Sequence, residues 1–248
     1  DYIETGSLLS IRQNVKDIII PSEEEEVVLN PLDYEEFRWA LGDRVTIPML
    51  RQCFEKRRGL GDEANRNLMR DFRLYMLVGG MPPAVKTYLE TNNMAKVDKV
   101  KRSLISLYEK DFNKIDKSGN ASKMFHFIPS HLASNSSRFL VGPATDGGRL
   151  DRLAETISDM ADSMVVNIAY HVSDPNVGMA LSKNESAFKM FVCDTGLFVT
   201  LAFWDKSFTE NVIYEKLLSD KLPANLGYVY DNIVAQMPMA SGHELYYH

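Results

Sequence analysis

Few side chains in the sequence have the spacing that metal binding or nucleophilic catalysis requires. The two cysteines, Cys53 and Cys193, form no CxxC pair, and the five histidines are scattered along the chain. Because zinc sites place cysteine and histidine at short, regular spacings, no zinc site is predicted. The acidic run Glu23–Glu26 is expected to be a solvated loop, since consecutive carboxylates do not converge on one ion. Asp194 precedes a helical pattern and is predicted to cap that helix rather than to act as a catalytic acid.

Four basic side chains could contact the phosphate groups of DNA. Arg149 and Arg152 begin a predicted helix, and Lys183 and Lys189 flank a predicted strand pair. The overall charge argues against DNA binding. The sequence has 34 Asp and Glu and 28 Lys and Arg, a net charge of −6, which excludes a broadly cationic nucleic-acid binder. The same helix also carries acids that repel phosphate: Asp151, Glu155, Asp159 and Asp162. Two interpretations stay open, a weak DNA-binding module and a protein-interaction surface whose acids face a basic partner.

The elements that must position these residues are mostly helices, so the sequence predicts a mainly α fold with small β elements (α+β). Asp33 with Glu36 three residues later indicates a capping box at a helix start, and a second helix is predicted from Thr46 to about residue 58. From residue 62 to about 116 the pattern is helical, and Gly79-Gly80 followed by Pro82 predicts a chain reversal between two helices.

The last helix of that stretch has an apolar stripe at helical spacing, formed by Val97, Val100, Leu104, Leu107, Phe112 and Ile115. Its basic residues are expected on the outer, solvated faces of the helix, with a phosphate-contacting patch as the alternative: Lys96, Lys99, Lys101 and Arg102.

Beyond residue 119 the pattern changes to that of a winged helix-turn-helix. Short helical pieces are predicted at 122–127 and 130–135, then a glycine-rich loop at 141–148 and a longer helix from Leu150. Strands are predicted at 165–172 and 187–192. A helix at 197–203, a helix from about 226 closed by Pro238, and a terminal strand at 243–248 follow. Strand-like patterns without a nearby partner at both ends predict that the chain is an excerpt of a longer protein.

Five segments, in order, resemble prokaryotic AAA-like ATPases that carry an uncharacterised C-terminal domain. Two resemble the later part of the ATPase core, namely Glu4–Ile11 and the Asn30–Gly42 stretch. Tyr75–Pro82 resembles the helical-linker motif of these proteins. Phe188–Leu197 resembles the end of their winged-helix segment, and Tyr230–Gln236 the helix that opens their last, restriction-endonuclease-like domain, with Asp231 where the pattern usually has Glu.

The resemblance implies four regions: the end of an α/β ATPase core (1–60), a helical linker or lid (61–118), a winged-helix-like domain (119–203) and the start of an endonuclease-like α/β domain (204–248). It also implies that Thr5 and Ser7 lie beside the γ-phosphate as nucleotide-sensing hydroxyls, with a hydroxyl-capped turn as the alternative. The phosphate-binding GxxxxGK[ST] loop and the Walker B acids are absent from the sequence. We therefore expect ATP and Mg²⁺ for the intact protein and no cofactor, catalytic residue or metal site in this chain alone.

The implied function is the coupling of ATP binding and hydrolysis to a winged-helix and nuclease-like module that acts on DNA. The alternative is a non-catalytic module that binds DNA or a protein, including another copy of itself. The apolar runs are far shorter than the 18 or so residues of a membrane helix. No membrane partner is expected, and the presence of only two cysteines excludes a disulfide scaffold and fits the reducing cytoplasm.

Overall fold

A computed structural model of the chain describes residues 27–176, 178–206, 214 and 227–248. Thr5 and Ser7, with the strand expected around them, lie outside the described residues. The fold is mainly α with small β elements, as the sequence predicts. The helices are α1 (Tyr34–Ala40), α2 (Thr46–Glu55), α3 (Asp62–Val78), α4 (Pro82–Thr91), α5 (Met94–Ile115), α6 (Asn120–Ala133), α7 (Val141–Ala144), α8 (Leu150–Asp162), α9 (Thr195–Ala202) and α10 (Gly227–Ala240). The strands are β1 (Val166–Val172), β2 (Lys183–Val192) and β3 (Leu245–Tyr247), and a 3₁₀ turn spans Met179–Leu181.

The chain forms two compact units. We call them the helical unit, which comprises Pro31–Leu104 and Asp194–Ile233, and the sheet unit, which comprises Ile105–Cys193 and Val234–His248. The polypeptide therefore leaves the helical unit within α5, forms most of the sheet unit, and returns at Asp194.

The helical unit is built around α1, α3, α4 and α9. The predicted capping box is confirmed: the Asp33 side chain accepts from the Glu36 N–H at 2.8 Å, and the Glu36 side chain accepts from the Asp33 N–H at 2.9 Å. Tyr34 and Phe37 then pack their rings against Tyr75 of α3, with ring centroids 5.6 and 5.2 Å away. Burial of these large rings stabilises the packing of α1 against α3.

The sheet unit contains a three-stranded sheet in the order β2-β1-β3. β1 and β2 are antiparallel, as the predicted strand pair requires, but β2 begins at Lys183 rather than at residue 187. The register shifts between Tyr170 and His171. The terminal strand β3 pairs parallel to β1, with Tyr170 opposite Tyr246. A long-range parallel pairing of this kind leaves no local signal in the sequence.

Several predictions about helix limits are wrong. The two short pieces expected around Pro129 form the single helix α6, in which Ile128, Pro129 and Leu132 are all buried. Burial of this apolar face outweighs the cost of about 3 kcal/mol that proline imposes inside a helix. The expected glycine-rich loop contains the short helix α7, and α10 continues through Pro238.

The stripe predicted on α5 is also displaced. Leu107 is 53% exposed, whereas Lys101, expected on a solvated face, is completely buried. The buried side of the helix follows Val97, Lys101 and Ile105 at four-residue steps. Lys101 therefore lies on the buried face that the apolar residues define. Because the residue is charged, the sequence pattern predicted it on a solvated face instead.

Candidate functional site

The carboxylate of Asp194 joins two helix ends in the helical unit. It is the N-cap of α9, where Oδ1 accepts from the Leu197 N–H at 2.8 Å, as the sequence predicts. Oδ2 also accepts from the N–H of Gly80, at 2.6 Å. Asp194 is fully buried, and burial raises the pKa of its carboxyl group, against the opposing effect of the bonds from Gly80 and Leu197. One side chain thus satisfies two backbone donors that have no helical partner.

Glycines allow the backbones to approach closely around this carboxylate. α3 ends at Val78, Gly79 has φ +82°, and α4 begins at Pro82, which confirms the predicted chain reversal. A Cβ on Gly196 would lie 2.6 Å from Gly79 Cα, and a Cβ on Gly80 would lie 2.0 Å from the Leu32 carbonyl oxygen. Both separations are far below van der Waals contact, so neither glycine can be replaced without moving backbone.

The segment before α1 is bound to the same point. The Leu32 N–H donates to the Gly80 carbonyl at 2.8 Å, and the Tyr75 hydroxyl donates to the Leu32 carbonyl at 2.6 Å. From α10, the Asn232 side-chain amide donates to the Thr195 hydroxyl at 3.1 Å. We call the set Leu32, Gly79, Gly80, Asp194, Thr195, Gly196 and Asn232 the Asp194 junction.

Lys101 is the buried cation beside the junction. Its ammonium group donates to the Leu77 carbonyl at 2.6 Å, to the Gly196 carbonyl at 3.1 Å and to the Tyr214 hydroxyl at 3.1 Å. Burial lowers the pKa of Lys101 to about 8, and the charge of Asp98 acts in the opposite direction. All three N–H groups of the ammonium are occupied, so the lysine holds the end of α3 and the first turn of α9 against α5 rather than presenting a nucleophile.

Asp98, one turn before Lys101, completes the buried charges. Its carboxylate accepts from the Tyr214 hydroxyl at 2.9 Å, from the Thr200 hydroxyl at 3.1 Å and from Arg102 at 2.8 Å. The Arg102 guanidinium also donates to backbone carbonyls after α9, including that of Trp204 at 2.9 Å. A buried acid with this many donors is compensated in the way that buried charges require. The expectation that Lys101 lies on a solvated face is therefore wrong, whereas Arg102 is half-buried.

The four residues proposed to contact DNA lie in the sheet unit and are not all brought together. Arg149 is the N-cap residue of α8, Arg152 lies one turn later, and both are exposed. Lys183 lies 4.0 Å from the ring centroid of Tyr170, and Lys189 pairs with Ala169 in the ladder. Since Lys183 pairs with Val172, three residues further along β1, the two lysines project from opposite faces of the sheet.

The acids on α8 are not equivalent. Asp151 and Glu155 are exposed, whereas Asp159 is buried, and the exposed Asp151 lies 3.3 Å from the Arg149 guanidinium. Arg149 is therefore paired with an acid of the same helix, Asp151 of α8. Over the described ranges, no group of three or more His, Cys, Asp or Glu side chains could hold a metal ion.

Residues 69–207, more than half of the chain, match a protein family described as a domain of unknown function (DUF8612). The chain belongs to this family. No curated protein and no solved structure matches the sequence. The family match includes Gly79, Gly80, Lys101, Asp194 and Gly196, so most of the Asp194 junction lies inside it.

Sequence reasoning identified Asp194 as a cap but missed its second partner, Gly80, because 114 residues separate the two. It also missed Lys101 and Asp98. For Lys101 the available signal was its position four residues after Val97, on the apolar stripe. No helix among the described residues has the length and apolar character needed to cross a bilayer.

Proposed function

We propose that this chain is the connecting part of an AAA-like ATPase, which transmits the nucleotide state of an upstream ATP site to a winged-helix-like and nuclease-like module. The observation that carries the proposal is the Asp194 junction. Four of the five segments that resemble these ATPases contribute to it, through Leu32, Gly80, Asp194 and Asn232. Segments that share one buried contact point, rather than only an order along the chain, support a common mechanical role.

The connectivity explains how such a part would work. Leu32 lies in the second segment that resembles the ATPase core, and the hydrogen bonds of its backbone fix it to Tyr75 of α3 and to the turn between α3 and α4. That turn is bonded to Asp194, at which the chain returns from the sheet unit. A displacement at Leu32 is therefore passed to the start of α9 without a flexible step.

Lys101 provides a second link within the helical unit, between α5 and α9. It lies in α5, three residues before the chain leaves the helical unit, and it bonds the Gly196 carbonyl, two residues after the chain returns. The exit and return points of the inserted sheet unit are thus held together by one buried ammonium group. A displacement of one of these points is therefore passed to the other within the helical unit, which is what coupling to ATP requires.

In this proposal ATP and Mg²⁺ bind to the part of the intact protein that carries the phosphate loop, and Thr5 and Ser7 sense the γ-phosphate. The protein acts in the cytoplasm, and its low count of two cysteines fits a reducing compartment. DNA is the proposed substrate of the module.

ATP turnover by the intact protein tests this proposal. We expect magnesium-dependent phosphate release from the intact protein and none from this chain alone, because nothing in this sequence would hold the β- and γ-phosphates in line. Thr5→Val should slow hydrolysis more than nucleotide binding. Turnover by the isolated chain, or no nucleotide binding by the intact protein, would overturn the proposal.

A non-catalytic DNA-binding module is the second candidate. The observation in its favour is that Arg149 and Arg152 are both exposed at the start of α8, the position from which a recognition helix contacts DNA. The two proposals differ in nucleotide dependence, since a simple DNA-binding module retains DNA equally with and without ATP.

A further inference from the structure

Helix α2 is the least covered helix of the helical unit. None of its residues is buried, although its apolar and polar residues lie on different sides. Phe54 is 83% exposed, Met49 is 44% exposed, and Val45, just before the helix, is 73% exposed. An amphipathic helix normally buries its apolar side, and within the part of the chain that the structure describes nothing covers this side of α2.

An open cleft lies between α2 and the first half of α3. It has a cavity volume of about 190 Å³, and its apolar walls are formed by Met49, Leu50, Leu60, Ala64 and Leu68. An apolar cavity of about 150 Å³ holds a benzene molecule, so this cleft has room for one large apolar side chain of a partner.

The floor of the cleft is fixed by ion pairs. Arg38 bonds Asp71 at 2.5 Å and also bonds Asp43, which in turn accepts from the backbone and hydroxyl of Thr46. These hydrogen bonds from Thr46 hold the pKa of Asp43 well below its usual range. The charges at the floor are therefore mutually satisfied, and they leave apolar contact as the interaction that the cleft can offer.

The rim of the cleft is basic. Arg66 and Arg70 line a second depression, which shares Asn67 with the cleft and also includes Glu63. Residues 44–70 contain seven basic and three acidic side chains, in a protein whose net charge is −6. The seven basic residues are all exposed: Arg44, Arg51, Lys56, Arg57, Arg58, Arg66 and Arg70. Five of these have no ion-pair partner among the described residues, the exceptions being Arg51 with Glu35 and Arg70 with Asp71.

We propose that this cleft binds an acidic amphipathic helix of a partner protein, which places an apolar side chain between Met49 and Leu68 and carboxylates beside Arg66 and Arg70. A hydrophobic groove is the usual receptor for an amphipathic helix, and basic residues beside it are complementary in charge to an acidic one. Duplex DNA would match the arginines but offers no apolar side chain to Met49 and Leu68 in the cleft. A lipid surface requires apolar residues on a convex face, whereas Met49, Leu50 and Leu68 line a concave one.

The test uses this chain and a fluorescein-labelled peptide with leucines at i, i+3, i+4 and i+7 and glutamates elsewhere. Fluorescence anisotropy should show binding of this peptide and not of a scrambled peptide of the same composition. Arg66→Glu with Arg70→Glu should weaken binding by at least about tenfold, and Met49→Ser should also weaken it.

The matched control is Lys96→Glu with Lys99→Glu, which makes the same change of charge at two exposed positions of α5 and should leave binding within about twofold. Circular dichroism verifies that each variant is folded. The proposal is overturned if the ordered and scrambled peptides bind alike, if neither binds, or if the control weakens binding as much as the arginine variant. It is equally overturned if duplex DNA or vesicles of phosphatidylglycerol bind through Arg66 and Arg70 more tightly than the peptide does.

Discussion

The N–H of Gly80 donates a 2.6 Å hydrogen bond to the carboxylate of Asp194, a residue 114 positions further along the chain. The same carboxylate caps α9 through the Leu197 N–H. Two helix ends that are distant in sequence therefore depend on one buried acid. This relationship makes the helical unit cooperative, because neither the α3–α4 turn nor the start of α9 can open without leaving a buried donor unpaired.

Asp194→Ala should lower the free energy of unfolding by about 2–4 kcal/mol, since it removes a helix cap and leaves two buried N–H groups without an acceptor. Asp194→Asn retains one oxygen acceptor and should cost less. Urea denaturation measures both. Asp151→Ala, in the exposed first turn of α8, is the matched control and should cost no more than about 1 kcal/mol. An Asp194→Ala variant as stable as the control would contradict the role of this bond.

Gly196→Ala should destabilise the protein by about 1–3 kcal/mol, because the new methyl group would lie 2.6 Å from the backbone of Gly79. Gly227, in the first turn of α10, has open space around the same position. Gly227→Ala should be neutral or stabilising by up to about 1 kcal/mol. Thermal unfolding of the two variants side by side checks this, and equal melting temperatures would refute the close approach.

Lys101 should make stability rise with pH on the alkaline side. Its pKa is lowered to about 8 in the folded protein, below the ordinary lysine value of 10.5, so the unfolded chain binds more protons between these values. The contribution of Lys101 to the free energy of unfolding therefore increases as the pH rises from about 8 towards 10.5. Lys101→Met, which never carries a charge, provides the reference for all other titrating groups. The stability of the native protein relative to Lys101→Met should increase over this window, and a constant difference would disprove the prediction.

His131 should destabilise the sheet unit in acid. Its ring is buried, 5.1 Å from the ring of Phe139, and neither ring nitrogen has a hydrogen-bond partner among the described residues. Burial, with a smaller effect from Lys189, lowers the pKa of His131 to about 4 from an ordinary value of 6.5. The unfolded chain therefore takes up the proton first, and stability falls as pH drops from about 6.5 to 4. Urea denaturation across this pH window should show a flatter fall for His131→Phe, which cannot take up a proton, and an unchanged pH dependence of the free energy of unfolding would contradict this prediction.

DNA binding by the sheet unit should be weak and strongly dependent on salt. Four phosphate contacts would give a log–log salt slope of about −3.6, but a duplex on one face of the sheet reaches only one of Lys183 and Lys189, which limits the slope to about −2.7. Lys183→Glu and Lys189→Glu should therefore weaken DNA binding to different extents. Anisotropy titrations at two salt concentrations measure this, and equal losses from both lysines would show that DNA engages the unit differently.

The sequence predicted the parts of the fold that local signals determine. The capping box at Asp33, the reversal at Gly79-Gly80 and the cap at Asp194 each need only a few neighbouring residues. The pairing of β3 with β1 and the bond from Gly80 to Asp194 are long-range and have no local signature. Lys101 was misplaced because a charged residue is seldom buried unless its partners, here three oxygen acceptors, are assembled by the fold.

Hydrogen exchange of the intact protein, with and without a non-hydrolysable ATP analogue and Mg²⁺, tests the coupling role most directly. Nucleotide should slow the exchange of the Gly80 and Leu197 amides, both of which donate to Asp194. In Asp194→Asn the nucleotide should still bind, but the change at Leu197 should be lost, whereas Asp151→Asn should behave as the native protein does. If nucleotide binds and leaves the exchange of both amides unchanged, the Asp194 junction does not transmit the nucleotide state.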